Sequence, residues 1–452
     1  MILDYIRTRL RKIIGDQHGN VLMMFGFALV PMMFSTGMVI DYSRAAKMQT
    51  KLNAIADAAA LSAVTTPMMK KDKDYARQQA INLFVGQASA LPLVIFNTSD
   101  LNVTVTESAA TGVDRSVTVS YSAKSTNLFG RILGWTTLNL SGTAAANAKT
   151  APNIDFYVLV DTSPSMALPA TTAGLTAMTN TTKGYGQGGG LGCAFACHQS
   201  STTSGDPGGT PKVSGNYVDN YYVAKTLLGL TLRMDLVQQA VSDLTTVAVS
   251  SAAQNNAIYR MALSSFNVGY NPIVALPTAP ATVKAQANNL QVLTVCRNNQ
   301  YICNVNDNDA HTNFTSAFTG ALLNMPLISG NGGNQIGDTP QAMLFLITDG
   351  MRDENNSGRK IGPIPTAQCD TIKARGIKIA VLYTEYLYES ANDSWSISNV
   401  RTPYLAAPEK ISPPLINCAS PGLYYKVTTN DDISQSLAAL FQKAIATAHL
   451  TQ

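Results

Sequence analysis

The chain has 452 residues, of which 13% are charged, and its formal net charge is +4. This length is enough for about two or three domains. The basic excess is small, and no block rich in lysine and arginine is interleaved with aromatic residues. The composition therefore argues against a nucleic-acid-binding protein.

The amino terminus has the composition of a membrane anchor. Residues 21–40 carry no charge, and as a helix they would span about 30 Å, the thickness of a bilayer core. Basic side chains are in excess before this run, so the positive-inside rule predicts that residues 1–20 form a cytoplasmic basic tail. A cleaved signal peptide and a buried helix of a soluble domain are the alternatives. We favour an uncleaved transmembrane helix because no Ala-x-Ala site closes the run.

A helical stalk and a small antiparallel β region are predicted over residues 41–150. Alanine-rich residues 41–66 continue the anchor as helix, which Pro67 ends, and a second helix is predicted over about residues 74–89. From Leu101 the hydrophobic period changes to two in three successive segments. That alternation predicts antiparallel strands with one packed face and one face in water.

Strands and helices alternate from Ile154 onwards, which predicts an α/β domain with a doubly wound, mostly parallel sheet over residues 154–450. The predicted strands are Ile154–Val160, Tyr259–Phe266, Ala342–Thr348, Ile377–Tyr383 and Leu423–Val427. The predicted helices are Arg233–Ser250, Asn313–Met325, Thr366–Arg375 and Ile433–His449. A glycine-rich insertion at 167–222 interrupts the pattern, and loops this long are usually functional or disordered.

All six cysteines follow the anchor, and an even number outside the cytoplasm suggests disulfides. The pairs favoured by local spacing, and then by elimination, are Cys193–Cys197, Cys296–Cys303 and Cys369–Cys418. Because His198 follows Cys197, a haem or zinc site is an alternative there. The haem attachment motif has one residue fewer between its cysteines, so a small disulfide-closed loop is favoured.

Three oxygen donors follow the first strand of the α/β domain. Asp161, Ser163 and Ser165 stand at alternate positions just past its carboxyl end, the edge at which open α/β sheets bind ligands. A carboxylate and two hydroxyls on one short loop suit a hard divalent cation such as Mg²⁺.

Two further loops are predicted at the same edge. Asp349 follows the strand that ends at Thr348. Thr312 and Thr315 open the predicted helix Asn313–Met325, where a hydroxyl can also reach that edge. Each of these residues alone is commonly a helix cap or an Asx-turn residue. Their convergence on one edge favours a site. We expect His311 to be a surface-loop residue, since an oxygen site does not call for imidazole.

The order Asp-x-Ser-x-Ser, a later Thr, and Thr-Asp-Gly resembles the metal-ion-dependent adhesion site (MIDAS) of von Willebrand factor A domains. The resemblance implies a bound Mg²⁺, or Ca²⁺ or Mn²⁺, with an open position that an acidic residue of a protein partner fills. The metal ligands that it implies are Asp161, Ser163, Ser165, Thr312 and Asp349. The second loop departs from the family, which often has Gly-Gly-Thr where this chain has Ala-His-Thr.

The amino terminus resembles a second family. Gly19-Asn20 leading into an apolar span, with Asp41-Tyr42-Ser43-Arg44 before an alanine-rich helix, is similar to TadG-like proteins of the tight-adherence (Flp) pilus system. The resemblance implies a single-pass protein of the bacterial inner membrane, with its bulk periplasmic or surface-facing, that binds other pilus-assembly proteins.

These patterns together predict a metal-dependent adhesion or assembly module rather than an enzyme. None of the four histidines is spaced as a catalytic pair with Ser or Cys. One alternative is a Mg²⁺-dependent hydrolase or phosphoryl-transfer enzyme with Asp161 as nucleophile, although Ser163 stands where such enzymes tend to place a second Asp. The other alternative is a scaffold whose metal site is vestigial.

Overall fold

The protein is described from a computed structural model. Its described residues are 19–108, 114–184, 191–197, 212–213, 216–295, 310–334 and 337–450. The chain divides into two compact units: Met1–Ser108 with Asp114–Lys149, and Ala109–Val113 with Thr150–Gln452. The predicted cytoplasmic tail lies outside the described residues, apart from Gly19 and Asn20.

A long helix, two shorter helices and an antiparallel sheet form the first unit. The helices are α1 (Gly19–Ser62), α2 (Thr66–Met69) and α3 (Lys73–Ala88). The strands are β1 (Val94–Ile95), β2 (Leu101–Ser108), β3 (Asp114–Thr126) and β4 (Thr137–Lys149). Strand β3 pairs antiparallel with each of the other three, which confirms the predicted β region. Among the described helices, only α1 is long and apolar enough to cross a membrane.

The alternation along β3 builds the core of the first unit. Val117, Val119 and Tyr121 are buried on one face, where they cluster with alanines of α1 and with Phe84 of α3. Small alanine side chains let the helix approach the sheet closely. Arg115 is also fully buried, and it is neutralised by Glu107, to which its Nε donates at 2.7 Å. Its remaining N–H groups donate to backbone carbonyls at and after the end of α1.

A six-stranded sheet forms the centre of the second unit. The main strands of this unit are β5 (Ile154–Asp161), β6 (Tyr259–Phe266), β7 (Tyr270–Thr278), β8 (Gln341–Thr348), β9 (Met351–Asn355), β10 (Arg359–Pro363), β11 (Lys378–Thr384) and β12 (Tyr424–Val427), besides a short hairpin of Lys212–Val213 with Asn216–Tyr217. The sheet order is β12-β11-β8-β5-β6-β7, while β9 and β10 form a separate hairpin. All neighbours in the sheet are parallel except β6 and β7. The predicted doubly wound, mostly parallel sheet is confirmed.

Helices cover both faces of this sheet. The main helices are α4 (Thr172–Thr182), α5 (Arg233–Gln254), α6 (Pro280–Gln286), α7 (Phe314–Asn324), α8 (Ala367–Ala374), α9 (Ser412–Cys418) and α10 (Ile433–Leu450). One core cluster joins Phe156 and Val158 of β5 to side chains of α5, α6 and α10. A second cluster joins Leu159, which points the other way, to side chains of α7, α8 and α9. The central strands β5, β8 and β11 are buried on both faces, so they read as nearly continuous apolar runs.

Several elements of the second unit were not predicted: β7, the β9–β10 hairpin, α4, α6 and α9. Strand β7 contains Pro272 and Pro277, which argue against a strand, but it lies at the sheet edge, where a missing N–H is tolerated. Helix α4 lies inside the segment that was predicted as a glycine-rich insertion. The side chain of Thr171 caps it by accepting from the N–H of Gly174 at 3.0 Å.

The cysteines follow the expected pairing only in part. A disulfide joins Cys369 of α8 to Cys418 of α9. The predicted bond between Cys193 and Cys197 is wrong, because both are free thiols. The Cys193 thiol donates instead to the carbonyl of Phe195 at 3.6 Å, and burial raises its pKa to about 11. The remaining expected pair, Cys296 and Cys303, lies outside the described residues. His198, which follows Cys197, lies outside them as well.

Candidate metal-binding site

Asp161 ends the central strand β5 and is completely buried. The pairing of β5 with β8 sets Val160 opposite Ile347, so the next residues, Asp161 and Thr348, meet at the carboxyl edge. Thr348 Oγ1 donates to Asp161 Oδ2 at 2.6 Å, and the N–H of Ser163 donates to Oδ1 at 2.9 Å. Both oxygens of this carboxylate are thus held in place by the protein.

Two hydroxyls connect Asp161 to the second carboxylate of the site. Ser163 Oγ and Ser165 Oγ lie 3.0 Å apart, where Ser163 precedes the turn Pro164–Met166 and Ser165 lies within it. The Ser163 hydroxyl lowers the pKa of Asp161, and the Ser165 hydroxyl lowers the pKa of Asp349. Four of the five predicted ligands therefore lie in one connected polar group.

Asp349 directly follows β8 and is also completely buried. Its Oδ1 accepts from the N–H of Met351 at 3.1 Å. Its Oδ2 has no hydrogen-bond partner among the described residues. Because a buried carboxylate oxygen without a donor is costly, this atom marks where the site lacks positive charge.

The pKa values of Asp161 and Asp349 agree with that geometry. Burial raises the pKa of both carboxyl groups, and the neighbouring charge of Asp349 raises the pKa of Asp161 further. Arg233, buried at the start of α5, acts on Asp349 in the opposite direction. Its Nη1 has no hydrogen-bond partner in the described part of the chain. The two carboxylates are therefore only partly compensated by the protein itself.

Backbone bonds place Thr312 next to the third loop. Thr312 and Asp353 exchange two N–H to carbonyl bonds of 2.9 and 3.1 Å, and Asp353 lies in β9, which begins two residues after Asp349. The rival Thr315 is engaged elsewhere, because its hydroxyl donates to Oε1 of the buried Glu354 at 3.0 Å. Thr312 therefore remains the candidate of the second loop.

The expectation for His311 is wrong. Its side chain is only 6% exposed, so it is not a surface-loop residue. The adjacent bridge between Thr312 and Asp353 draws this part of the loop inwards, which explains the burial.

Sequence reasoning missed three residues around the site. Thr348 orients Asp161, Glu354 fixes the start of α7 through Thr315, and Arg233 adds a buried positive charge. Thr348 was visible as part of Thr-Asp-Gly but was assigned no role. Neither Glu354 nor Arg233 carries a local signal of burial, since both are charged residues that are ordinarily exposed.

The donor set decides which cation would suit the site. Among the described residues, no group of three or more His, Cys, Asp and Glu is arranged to hold a metal. The candidate site has two carboxylates, and its other donors are hydroxyls. Oxygen donors of this kind suit Mg²⁺, Mn²⁺ or Ca²⁺ rather than a thiolate-preferring metal.

The family comparison concerns α1. Residues 19–66 match the family model described as putative Flp pilus-assembly TadE/G-like. This segment is what the chain shares with that family. The match covers the whole of α1, including the charged Asp41 that follows the apolar run. The search of curated proteins gave no match to this chain.

Solved structures similar to this chain include pilus proteins. The pilus adhesin SpaC from Lactobacillus rhamnosus GG is 12% identical with a TM-score of 0.33, over 77% of this chain and 34% of that one. The chain thus spans about a third of that adhesin. The vWF domain of the type V pili tip protein Mfa5 from Porphyromonas gingivalis is 10% identical with a TM-score of 0.33, over 68% of this chain and 98% of that one. At these values the likeness supports no functional conclusion.

Proposed function

We propose that this protein is a membrane-anchored, extracytoplasmic binding module of Flp pilus biogenesis, and that its second unit binds protein partners through a divalent cation. The TadE/G-like segment supports the role in pilus assembly. The single observation that carries the metal site is the buried Oδ2 of Asp349, which has no hydrogen-bond donor among the described residues.

The anchor is supported by the exposure of α1. Every residue from Val21 to Met33 is exposed in the structure, although the run is apolar. A bilayer around this part of α1 would bury those side chains. The disulfide Cys369–Cys418 agrees with an oxidising compartment for the second unit. The excess of basic residues before the run supports a cytoplasmic tail.

The proposed metal ligands are the two carboxylates and the three hydroxyls that the sequence singled out, Asp161, Ser163, Ser165, Thr312 and Asp349. A divalent cation would supply the positive charge that Asp349 Oδ2 lacks. When bound, the ion also offers a charged contact to an acidic side chain of a partner, which supports binding rather than catalysis. The protein's own residues do the rest: Thr348 and the N–H of Ser163 orient Asp161, while Arg233 limits the negative charge.

Substitution of Asp161 tests the metal site. Asp161→Ala should abolish Mg²⁺ binding measured by titration calorimetry, since it removes one of the two carboxylates. The matched control is Asp370→Ala, which removes the same charge from an exposed position in the second unit and should leave binding unchanged. Unchanged Mg²⁺ binding in Asp161→Ala would overturn the site.

A second measurement tests the binding function. The intact protein in detergent should retain pilus-assembly proteins from an envelope extract in Mg²⁺ and release them in EDTA. Retention in both conditions would favour the scaffold with a vestigial metal site.

A further inference from the structure

The loop between β3 and β4 exposes an unusual amount of apolar surface. We call residues 128–135 the apolar loop. Its five large apolar side chains are exposed by 53, 39, 70, 51 and 63%, and they are Leu128, Phe129, Ile132, Leu133 and Trp135. Its single charged residue is Arg131. Contiguous exposed apolar side chains of this kind mark a surface that another phase or molecule covers.

The apolar loop is fixed to α1 by hydrogen bonds. The buried carboxylate of Asp41 accepts the N–H of Leu128 at 2.8 Å, of Phe129 at 2.9 Å and of Gly130 at 2.8 Å. Asp41 is the first charged residue after the apolar run. The backbone of the loop is therefore held at the level where the run ends.

The loop also touches α1 inside the apolar run. A Cβ at Gly37 would lie 2.6 Å from Cβ and Cγ of Phe129, so only glycine permits this approach. Gly37 lies three residues before Ile40, which is about 5 Å along the helix axis. The apolar loop thus reaches below the end of the run and lies beside a segment that the bilayer would surround.

We propose that the apolar loop inserts into the interfacial region of the bilayer beside the anchor, so that lipid covers its exposed side chains. This inference rests on the membrane anchor of the proposed function. Three observations favour lipid as the occupant: the loop lies at the level of the run, it continues the apolar surface of α1, and it ends in Trp135. Tryptophan favours the membrane–water interface, and the long side chain of Arg131 can extend to the headgroups.

The mechanical consequence concerns the first unit alone. A single helix leaves the unit attached to it free to rotate and tilt relative to the membrane. A second contact, held rigidly to the helix by Asp41, would set the height and orientation of the β region above the lipid. Insertion of the loop would therefore fix the orientation of the first unit, which a single helix leaves free.

Tryptophan fluorescence gives a direct test. The chain contains two tryptophans, so Trp395→Phe leaves Trp135 as the only one. The full-length variant is reconstituted into phosphatidylcholine–phosphatidylglycerol vesicles, with and without brominated acyl chains. We expect Trp135 to lose most of its fluorescence in brominated vesicles, with bromine near the headgroup more effective than bromine near the chain end. Aqueous iodide should quench it weakly.

A matched pair of variants localises the effect. Leu133→Asp places a charge in the apolar loop, whereas Leu61→Asp makes the same change at an exposed leucine near the far end of α1. In the Trp395→Phe background, Leu133→Asp should lower the quenching by brominated lipid and increase the quenching by iodide. Leu61→Asp should change neither, and circular dichroism checks that both variants are folded.

Flotation of the vesicles distinguishes a failure of the loop insertion from a failure of the membrane anchor. If the protein floats with the vesicles but iodide quenches Trp135 and brominated lipid does not, the loop lies in water and the inference is overturned while the anchor stands. If neither quencher reaches Trp135, protein rather than lipid covers the loop, which also overturns it. If alkaline carbonate extracts the protein from the vesicles, the anchor and the inference fail together.

Discussion

Each unit of this protein contains a buried aspartate whose surroundings differ in one respect. Asp41 in the first unit accepts three backbone N–H groups through its two oxygens. Asp349 in the second unit accepts one N–H on Oδ1 and, among the described residues, no hydrogen bond on Oδ2. Both carboxylates are almost or completely inaccessible to solvent.

That difference separates a structural carboxylate from a binding carboxylate. The hydrogen bonds of Asp41 compensate its burial, so the residue stabilises the loop that it holds. Asp349 lies close to a second acidic group and is compensated incompletely, which costs free energy of folding until a cation arrives. The same substitution at the two positions should therefore change stability in opposite directions.

Asp41→Asn should cause the largest loss of stability. An asparagine amide cannot accept all three N–H bonds, and its own NH₂ group would face donors. We expect the free energy of unfolding of the first unit to fall by about 3 kcal/mol, measured by denaturant titration in detergent. Asp57→Asn, at an exposed position of the same helix, is the control and should have little effect. A neutral result for Asp41→Asn would show that the three bonds do not hold the loop.

Gly37→Ala should be the next most damaging change in the first unit. The added methyl group would overlap Phe129, and relief of that overlap should cost about 2 kcal/mol. Amide hydrogen exchange of Leu128, Phe129 and Gly130 should become faster as the loop loosens. Gly26→Ala is the matched control, since no atom lies within 4 Å of its Cβ position. Equal exchange rates in both variants would contradict close packing of the loop on α1.

The sequence allowed most of the architecture to be predicted, for physical reasons that differ between elements. The central parallel strands are buried on both faces and read as apolar runs, and β6 was predicted with its observed bounds, Tyr259–Phe266. The alternation in the antiparallel sheet was equally clear. Strand β7 was missed because its two prolines oppose the strand pattern, and only the edge position in the sheet makes them acceptable.

The candidate site was predictable only where local spacing determines it. Asp161, Ser163 and Ser165 share one loop, so their proximity follows from the chain itself. The burial of His311 and the hydrogen bond from Thr315 to Glu354 depend on the β9–β10 hairpin, which no local sequence pattern predicts. The three N–H bonds to Asp41 likewise join positions 87 to 89 residues apart.

Asp349→Asn should stabilise the metal-free second unit. The change removes a buried charge that has too few donors and lies near Asp161. We expect the free energy of unfolding in EDTA to rise by about 1 to 2 kcal/mol, while the stabilisation by Mg²⁺ disappears. Asp370→Asn, on the exposed surface of α8, should show neither effect. A loss of stability as large as that of Asp41→Asn would mean that the protein already satisfies both oxygens of Asp349.

The pH dependence of stability gives the smallest effect and the most specific one. Burial, and for Asp161 also the charge of Asp349, raises the pKa of the two carboxyl groups above the ordinary value of 3.8. Between 3.8 and the raised values, the folded unit binds more protons than the unfolded chain, so its stability without metal should fall as the pH rises, by about 1 kcal/mol per pH unit for each group.

Addition of Mg²⁺ should reverse the slope, because the ion binds the ionised carboxylates and its stabilising effect therefore grows over the same pH window. Thermal unfolding of the intact protein at a series of pH values, in EDTA and in Mg²⁺, measures both slopes. Asp349→Asn should flatten the two curves, whereas Asp41→Asn should shift them without changing their slopes. A metal-free stability that increases with pH across this window would mean that the charges of Asp161 and Asp349 are already compensated within the protein, and the contrast with Asp41 would not hold.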